Sequence, residues 1–324
     1  MSASMITQIA AIAVGFVLLM LSADRFVLGA SAMARNLGVS PLVVGLTVVA
    51  FGTSAPEILV SGIAAWQGKP GLGVGNAIGS NIANVGLVIG ITAMLLPMVI
   101  RSDTMRREFP ILFAIMLVVS VLLVDGTLSL IDGVVLIASM FVLVYWLIIL
   151  GLRSRKNDPL VGEYEEEVPS KMPMNIALMW LFGGLAVLLA SSHLVVWAAT
   201  SIARQVGISD LVIGLTVVAI GTSLPELAAT VTSAIKKEHD IAIGTILGSN
   251  MFNLLIVLGL PGLLSPHEVD SNVITRDIPV MIILTLTLFV MSFGFGRKGN
   301  IGRWKGAILL AVFLVYQWYL YLHP

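Results

Sequence analysis

The segments GLTVVAFGTSAPE at 45–57 and GLTVVAIGTSLPE at 214–226 decide the fold of this chain. Each segment places one glutamate, Glu57 or Glu226, inside an apolar run. An acidic side chain within a membrane costs on the order of 3 kcal/mol even on lenient scales, so we expect both glutamates to have a function. Because the acid occurs twice at equivalent positions, the sequence predicts a site built from two related halves.

The similarity between the two segments extends along most of the chain at a constant offset of 169 residues. Residues 41–60 and 210–229 share 13 of 20 identities. The same offset relates pairs such as Arg35 and Arg204, Ser80 and Ser249, Asn84 and Asn253, and Pro110 and Pro279. Solenoid repeats are roughly 20 to 50 residues long, so this period indicates one ancestral half used twice.

The composition is that of a polytopic membrane protein. Hydrophobic residues make up 58% of the 324 residues, charged residues 11%, and the mean hydropathy is +1.02. A water-soluble domain of this size would not have such a composition. The chain has no cysteine, which excludes disulfides, thiolate metal sites and cysteine nucleophiles.

Ten apolar stretches are long enough to cross a bilayer core, which needs roughly 20 residues of helix. The predicted spans are 6–28, 41–66, 72–97, 109–124, 131–151, 175–199, 210–235, 241–264, 278–294 and 304–321. We therefore predict an all-α polytopic membrane protein with a five-helix repeat at 1–151, a mixed-charge linker at 152–174 and a second five-helix repeat at 175–324. An odd number of spans per repeat makes the two repeats inverted in topology.

The distribution of lysine and arginine predicts the orientation. Loops after the odd-numbered spans contain 14 of these residues and the opposite loops contain 3, with Arg25 assigned to the first span. The positive-inside rule then places the linker in the cytoplasm and both termini outside. We expect an integral protein of a bacterial-type inner membrane, whose first span is retained rather than cleaved as a signal peptide.

Hydroxyl side chains accompany each glutamate at helical spacing. Thr53 and Ser54 precede Glu57 by four and three residues, so all three share one helix face. Thr222, Ser223 and Glu226 repeat the pattern. Pro56 and Pro225 lack an amide proton, which predicts a kink or break in each helix. We expect carbonyls at Ala50–Thr53 and Ala219–Thr222 to be freed as ligands.

A second duplicated pair of segments carries amide and hydroxyl oxygens. These segments are GNAIGSNIAN at 75–84 and GTILGSNMFN at 244–253, in which Ser80 and Asn84, and likewise Ser249 and Asn253, are four residues apart. All the candidate ligands are oxygen atoms. Sites with two carboxylates and only oxygen ligands suit hard cations such as Ca²⁺ and Na⁺.

The doubled GTSxPE and GSNxxN pattern resembles the sodium/calcium exchanger family of the cation/Ca²⁺ antiporter superfamily, particularly its bacterial K⁺-dependent exchanger-like members. The resemblance implies ten helices, with the first and sixth sliding across a central site to alternate access. It implies Glu57, Glu226, Asn84 and Asn253 at the centre of that site. It further implies one flanking set of Thr53, Ser54, Ser80 and the Ala50 carbonyl, and another of Thr222, Ser223, Ser249 and the Ala219 carbonyl.

The resemblance implies a secondary antiporter that exchanges Ca²⁺ for Na⁺, with no resident cofactor. We expect these ions and the lipid bilayer as partners, without nucleic acid or an obligate protein partner. Family members often have an aspartate where Asn253 stands, so this site has two acids where theirs has three. The counter-ion therefore stays open between Na⁺, K⁺ and H⁺. A passive cation channel and an intramembrane hydrolase with paired carboxylates are the other function classes.

Overall fold

A computed structural model of the chain describes residues 3–39, 41–100, 102–154, 172–205, 219–292 and 299–322. These residues are mostly helical, as the apolar composition predicts, because a helix satisfies its backbone hydrogen bonds within one segment. Most of the predicted linker, at 155–171, and the first part of the seventh predicted span, at 210–218, lie outside the described residues.

Four discontinuous helices carry the duplicated segments. We call α2 (Pro41–Val44), π1 (Gly45–Val49), α3 (Ala50–Thr53) and α4 (Ala55–Trp66) the first bent helix. The first asparagine helix consists of α5 (Pro70–Ala83), π2 (Asn84–Ile89) and α6 (Gly90–Leu95).

Their counterparts in the second half are built in the same way. The described part of the second bent helix consists of α10 (Ala219–Thr222) and α11 (Leu224–Ile235). The second asparagine helix consists of α12 (His239–Phe252), π3 (Asn253–Val257) and α13 (Gly259–Leu264). The π segments of the two asparagine helices, π2 and π3, each begin at an asparagine of the repeated motif. Short π segments within α-helices are frequent at functional sites.

The remaining helices are long and apolar. They are α1 (Ala3–Leu37), α7 (Ser102–Leu122), α8 (Leu130–Ser154), α9 (Met174–Gln205), π4 with α14 (Val273–Asp277 and Ile278–Ser292) and α15 (Arg303–Leu322). Six helices among the described residues are long and apolar enough to span a membrane, or seven if the first bent helix counts as one span. The number of ten spans stays a prediction.

The predicted helix break is confirmed in the first bent helix. Its two arms meet at Ser54 with a bend of 52°. Pro56 lies in the first turn after the break, where its missing N–H is tolerated and its ring prevents the preceding helix from continuing. In the second half the interruption falls on the equivalent Ser223, just before Pro225.

Close glycine contacts join the first bent helix to the second asparagine helix. A Cβ atom added to Gly248 would lie 2.5 Å from the Leu46 carbonyl oxygen and 2.6 Å from the Ala50 Cβ. A Cβ atom on Gly45 would lie 2.9 Å from the Ile241 carbonyl oxygen. Small residues allow helix backbones to approach this closely in membranes. The contact brings the Ala50–Thr53 turn of one half against the motif serine, Ser249, of the other.

Helices α1 and α9 are equivalent in the repeat and run antiparallel to each other. Gly29 of α1 packs against Leu181, and Gly15, earlier in α1, packs against Val195, which is later in α9. Contact positions therefore advance along one helix as they retreat along the other. Buried residues of this pair form a second apolar cluster together with residues of both bent helices, such as Val49 and Ala228, and with Ile241.

Two short antiparallel ribbons connect the halves. Strand β1 (Met98–Ile100) pairs with β4 (Gly299–Ile301), and β2 (Thr127–Leu128) pairs with β3 (His267–Glu268). Because β1 precedes α7 and β2 follows it, the ribbons lie at opposite ends of a helix about 30 Å long. The repeat offset relates β1 to β3, so equivalent segments of the two halves lie at opposite ends of the molecule.

Candidate cation site

The two motif glutamates lie in the protein interior, on the bent helices. Glu57 and Glu226 are each 1% exposed, and each lies in the first turn after a helix break. Their carboxylates are close enough to interact electrostatically. The structure therefore brings together the two acids that the duplicated segments contain.

The two carboxylates have different hydrogen-bond partners. The Ser54 hydroxyl donates to Oε1 of Glu226 at 3.3 Å. Oε2 of Glu226 and both carboxylate oxygens of Glu57 accept no hydrogen bond among the described residues, although the Thr222 side chain faces Glu57. Each bent helix therefore presents its hydroxyls to the glutamate of the other half.

A hydroxyl cluster lies next to the first helix break. The Thr53 and Ser249 hydroxyls are 3.4 Å apart, and both approach the Ala50 carbonyl oxygen, at 3.3 Å and 3.5 Å. The expectation of a freed Ala50 carbonyl is wrong in detail, because this oxygen also accepts the Ser54 amide at 3.0 Å. The i to i+4 bond survives because the amide of Ser54, the residue at the break, still completes the last turn of the first arm.

The grouping of the flanking ligands differs from the expected one. Ser249 was expected beside Thr222 and Ser223, yet it lies against Thr53 and Ala50. This follows from the glycine contact that packs the second asparagine helix on the first bent helix. Hydroxyls of the two predicted sets are thus interleaved.

The predicted amide ligands Asn84 and Asn253 are the first residues of π2 and π3, and both are buried. Asn84 Nδ2 donates to Oδ1 of Asn250 at 3.1 Å, while Asn84 Oδ1 accepts no hydrogen bond among the described residues. Neither amide atom of Asn253 has a hydrogen-bond partner in the described part of the chain. Buried amide oxygens of this kind are suited to a cation.

The remaining predicted ligands lie near the helix breaks or on the asparagine helices without a hydrogen bond to the glutamates in the described part of the chain. Ser80 and Ser223 are buried, on the first asparagine helix and at the second helix break. The Ser223 hydroxyl has no hydrogen-bond partner among the described residues, and no hydrogen bond in that part of the chain joins Ser80 to the glutamates. Ala219 begins α10, so its carbonyl lies one helical turn before Ser223.

Hydrogen bonds outside the predicted set hold Glu57 in place. Asn76 Nδ2 donates to the Glu57 carbonyl oxygen at 3.1 Å and to the Ser61 hydroxyl at 3.2 Å. Ser61 in turn donates to the Gly73 carbonyl oxygen at 3.2 Å. These bonds fasten the first bent helix to the first asparagine helix. Sequence reasoning missed Asn76 and Asn250, although both lie within the repeated motif segments.

Among the described residues, no lysine or arginine forms an ion pair with the two motif glutamates. The ion pairs within the described residues join Asp24, Glu108 and Asp277 to arginine or lysine, and none includes Glu57 or Glu226. Buried carboxylates need a compensating charge, so this arrangement suits a bound cation. No cluster of three or more His, Cys, Asp and Glu residues occurs in the described ranges, which leaves two acids and neutral oxygens.

Comparison with known proteins agrees with this geometry. The family model for sodium/calcium exchanger proteins matches residues 7–149 and 176–322, one stretch in each half. CaxA of Alkalimonas amylolytica, proposed by its name to be an antiporter, is 48% identical over 312 residues, which cover 95% of this chain and 97% of the relative. The sodium/calcium exchanger MaX1 of Methanosarcina acetivorans is 32% identical over 353 residues, covering 93% and 95%.

A solved structure has the same fold. The sodium-calcium exchanger NCX_Mj, soaked with Na⁺ and Sr²⁺, superposes with a TM-score of 0.81 and 32% sequence identity over 96% of this chain and 97% of that one. These relatives are transporters rather than enzymes, and the match extends over both halves of the chain. The chain therefore belongs to the sodium/calcium exchanger family of membrane antiporters.

Proposed function

We propose that this protein exchanges Ca²⁺ for Na⁺ by alternating access, using a cation site formed by Glu57 and Glu226 with Asn84 and Asn253. One observation carries the proposal: two carboxylates lie buried together with no protein cation beside them in the described residues. One Ca²⁺, or two Na⁺, neutralises two carboxylates. Both ions are cargo, so the proposed protein has no resident cofactor.

The hydroxyl and carbonyl groups complete the proposed ligand set. Thr53, Ser249 and the Ala50 carbonyl supply neutral oxygens on one side of the carboxylates. Thr222, Ser223 and the Ala219 carbonyl supply them on the other. Ser54, at the first helix break, and Ser80, on the first asparagine helix, add further hydroxyls. Ca²⁺ accepts six to eight oxygen ligands in flexible geometry, so such a set suits it.

We propose that the ten helical segments span the membrane as two inverted repeats. The antiparallel packing of α1 on α9 supports this, because these helices are equivalent in the repeat. The ribbons support it independently, since the equivalent strands β1 and β3 lie at opposite ends of α7. The Lys and Arg count then places both termini outside and the linker in the cytoplasm.

Alternating access is proposed to come from α1 and α9 moving together across the site. Glycines of α1 and α9 let the two helices pack closely on each other, and their apolar cluster also includes residues of the bent helices such as Val49 and Ala228. Close packing of α1 on α9 supports their movement as one body.

The transport assay is ⁴⁵Ca²⁺ uptake into proteoliposomes under imposed Na⁺, K⁺ and H⁺ gradients. Uptake driven by an opposing Na⁺ gradient is the expected result. Uptake driven only by H⁺ or K⁺ would replace Na⁺ with that counter-ion, and single-channel currents would favour a passive channel instead.

A voltage test addresses the stoichiometry. Exchange of three Na⁺ for one Ca²⁺ moves one net charge, worth about 2.3 kcal/mol per 100 mV. Ca²⁺ flux in a Na⁺ gradient should then respond to a K⁺ diffusion potential set with valinomycin, with a protonophore control. Flux insensitive to this potential would favour an electroneutral cycle.

Topology is tested by cysteine labelling, because the chain has no native cysteine. A cysteine at position 160 should react with an impermeant reagent only from the cytoplasmic face, and one at position 2 only from outside. Labelling of both positions from the same face would contradict the inverted five-plus-five arrangement.

A further inference from the structure

The hydrogen bond between Asn84 and Asn250 joins the two halves of the protein inside the core. Asn84 belongs to the first asparagine helix and Asn250 to the second, and both side chains are at most 1% exposed. Nδ2 of Asn84 donates to Oδ1 of Asn250 at 3.1 Å. This bond involves the NH₂ end of Asn84 and leaves its oxygen end without a partner among the described residues.

The two ends of an asparagine amide have opposite effects on a cation. The oxygen carries a partial negative charge and coordinates Ca²⁺ or Na⁺, while the NH₂ group can only donate hydrogen bonds and repels a positive ion. A rotation of the Asn84 amide by half a turn would therefore place its NH₂ group, instead of its oxygen, next to the cation and weaken binding. The rotation is broad and roughly two-fold, so a neighbouring group must select one orientation.

We propose that Asn250 is a positioning residue whose side-chain carbonyl holds the Asn84 NH₂ group and so keeps the Asn84 oxygen turned to the transported cation. This inference rests on the cation site proposed above. It is consistent with the packing of the Asn84–Ile89 segment against the helix that carries Glu226. Asn250 itself does not need to touch the ion.

The pair that the repeat relates to Asn84 and Asn250, namely Asn253 and Asn81, forms no hydrogen bond in the described part of the chain. The repeat offset relates Asn84 to Asn253 and Asn250 to Asn81. Asn81 Nδ2 donates instead to the Ala77 carbonyl oxygen at 2.8 Å, and Asn253 has no hydrogen-bond partner within the described ranges. Among the described residues, Asn84 is thus held by a side chain of the opposite half, whereas Asn253 is not.

A purely structural role for Asn250 makes a different prediction from a positioning role. If the bond only stabilises packing, its loss should lower the melting temperature and the amount of folded protein, without a specific change in cation affinity. If the bond orients Asn84, its loss should weaken cation binding only when Asn84 is present. A double-mutant cycle separates these roles.

The test compares the wild-type protein with Asn250→Leu, Asn84→Ala and the double variant. Affinity is read from the Ca²⁺-dependent rise in melting temperature of the purified full-length protein, and KM and kcat from ⁴⁵Ca²⁺ uptake in proteoliposomes. Asn250→Leu should raise KM about tenfold and change kcat by less than about threefold, as loss of one oriented ligand predicts. In the Asn84→Ala background it should change KM by less than about twofold.

Two further variants keep the test decisive. Asn250→Asp retains an acceptor oxygen of the same reach and adds negative charge, so its KM should not rise more than about threefold above the wild-type value. Asn81→Leu is the matched control, because it removes an equally buried asparagine from the other half; it should lower the melting temperature but leave KM within about threefold. Asn250→Ala removes the acceptor without added bulk and replaces Asn250→Leu if that variant does not fold.

An equal rise in KM in both Asn84 backgrounds would overturn the proposal. So would a fall in kcat and melting temperature with KM unchanged, or Asn250→Asp behaving like Asn250→Leu. A wild-type protein that shows no Ca²⁺-dependent rise in melting temperature would instead contradict the proposed Ca²⁺ site, which distinguishes the two failures.

Discussion

The two copies of the GTSxPE segment have nearly the same sequence but different surroundings. In the first copy, the Thr53 and Ser54 hydroxyls contact Ser249, the Ala50 carbonyl and Glu226. In the second copy, the equivalent Ser223 hydroxyl has no hydrogen-bond partner in the described part of the chain. A duplicated sequence therefore does not give two identical half-sites.

The short loops that follow the two bent helices differ as well. Gly68 has a φ of 72°, and the equivalent Lys237 has a φ of 60°, which is uncommon for a residue with a Cβ atom. The second loop is also tied to α1, because Lys236 pairs with Asp24 at 2.7 Å and Ser31 donates to Glu238 at 3.0 Å. The loop after the second bent helix is thus bonded directly to α1.

The largest expected effect comes from the property that the two copies share. Glu57→Gln and Glu226→Gln each keep the side-chain shape but remove half of the negative charge of the site. We expect Na⁺-driven ⁴⁵Ca²⁺ uptake to fall by at least about 100-fold in either variant, since a buried divalent ion would lose its charge compensation. Normal yield and melting temperature would show that folding is intact. Robust exchange by either variant would refute the paired-acid site.

The next largest effect is expected at Gly248, where the two halves approach each other closely. Gly248→Ala places a methyl group 2.5 Å from the Leu46 carbonyl oxygen, so we expect a loss of about 2 kcal/mol in stability and a lower melting temperature. Gly75→Ala is the matched control on the first asparagine helix, because Gly75 is exposed. Equal melting temperatures for the two variants would mean that the close approach at Gly248 is not required.

Replacing the serine at each helix break tests whether the different surroundings of the two copies affect cation binding. Ser54→Ala removes the donor to Oε1 of Glu226, and we expect about a tenfold weaker apparent Ca²⁺ affinity, because a hydrogen bond to a charged group contributes about 1.5 kcal/mol. Ser223→Ala should weaken the affinity by about threefold, the loss of one neutral oxygen. The Ca²⁺ dependence of the melting temperature measures both. Equal effects would show that the asymmetry at the two breaks has no influence on binding.

The smallest expected effect concerns the two loops. Lys237→Gly should relieve the left-handed backbone conformation and stabilise the protein by about 0.5 kcal/mol, after allowance for the added freedom of glycine in the unfolded chain. Gly68→Ala should destabilise it by about 1 kcal/mol for the converse reason. Thermal melts in detergent should therefore shift in opposite directions. Shifts of the same sign would contradict a left-handed backbone at one of these positions.

The sequence was most informative where duplication and chemistry coincide. An acid inside an apolar run is costly, so Glu57 and Glu226 could be identified without coordinates, and the repeat offset predicted that they belong together. The prolines located the helix breaks for a local reason, because a missing amide proton acts within one turn. The partners of the individual hydroxyls could not be predicted in this way. Ser249 bonds with the Thr53 side of the site because two glycine faces meet, and such contacts depend on residues far apart in the chain.

Membrane insertion, the two-fold repeat and the identity of the two acids were determined by the sequence alone, since they depend on composition, spacing and local backbone chemistry. Only the tertiary structure decided which oxygens face each carboxylate, that Asn250 holds Asn84, and that α1 and α9 lie antiparallel. The physical reason is that side-chain direction at a helix crossing depends on how closely the two backbones approach and at what angle. Equivalent sequences in the two halves meet different neighbours at these crossings, so nearly identical motifs form unlike halves of one site.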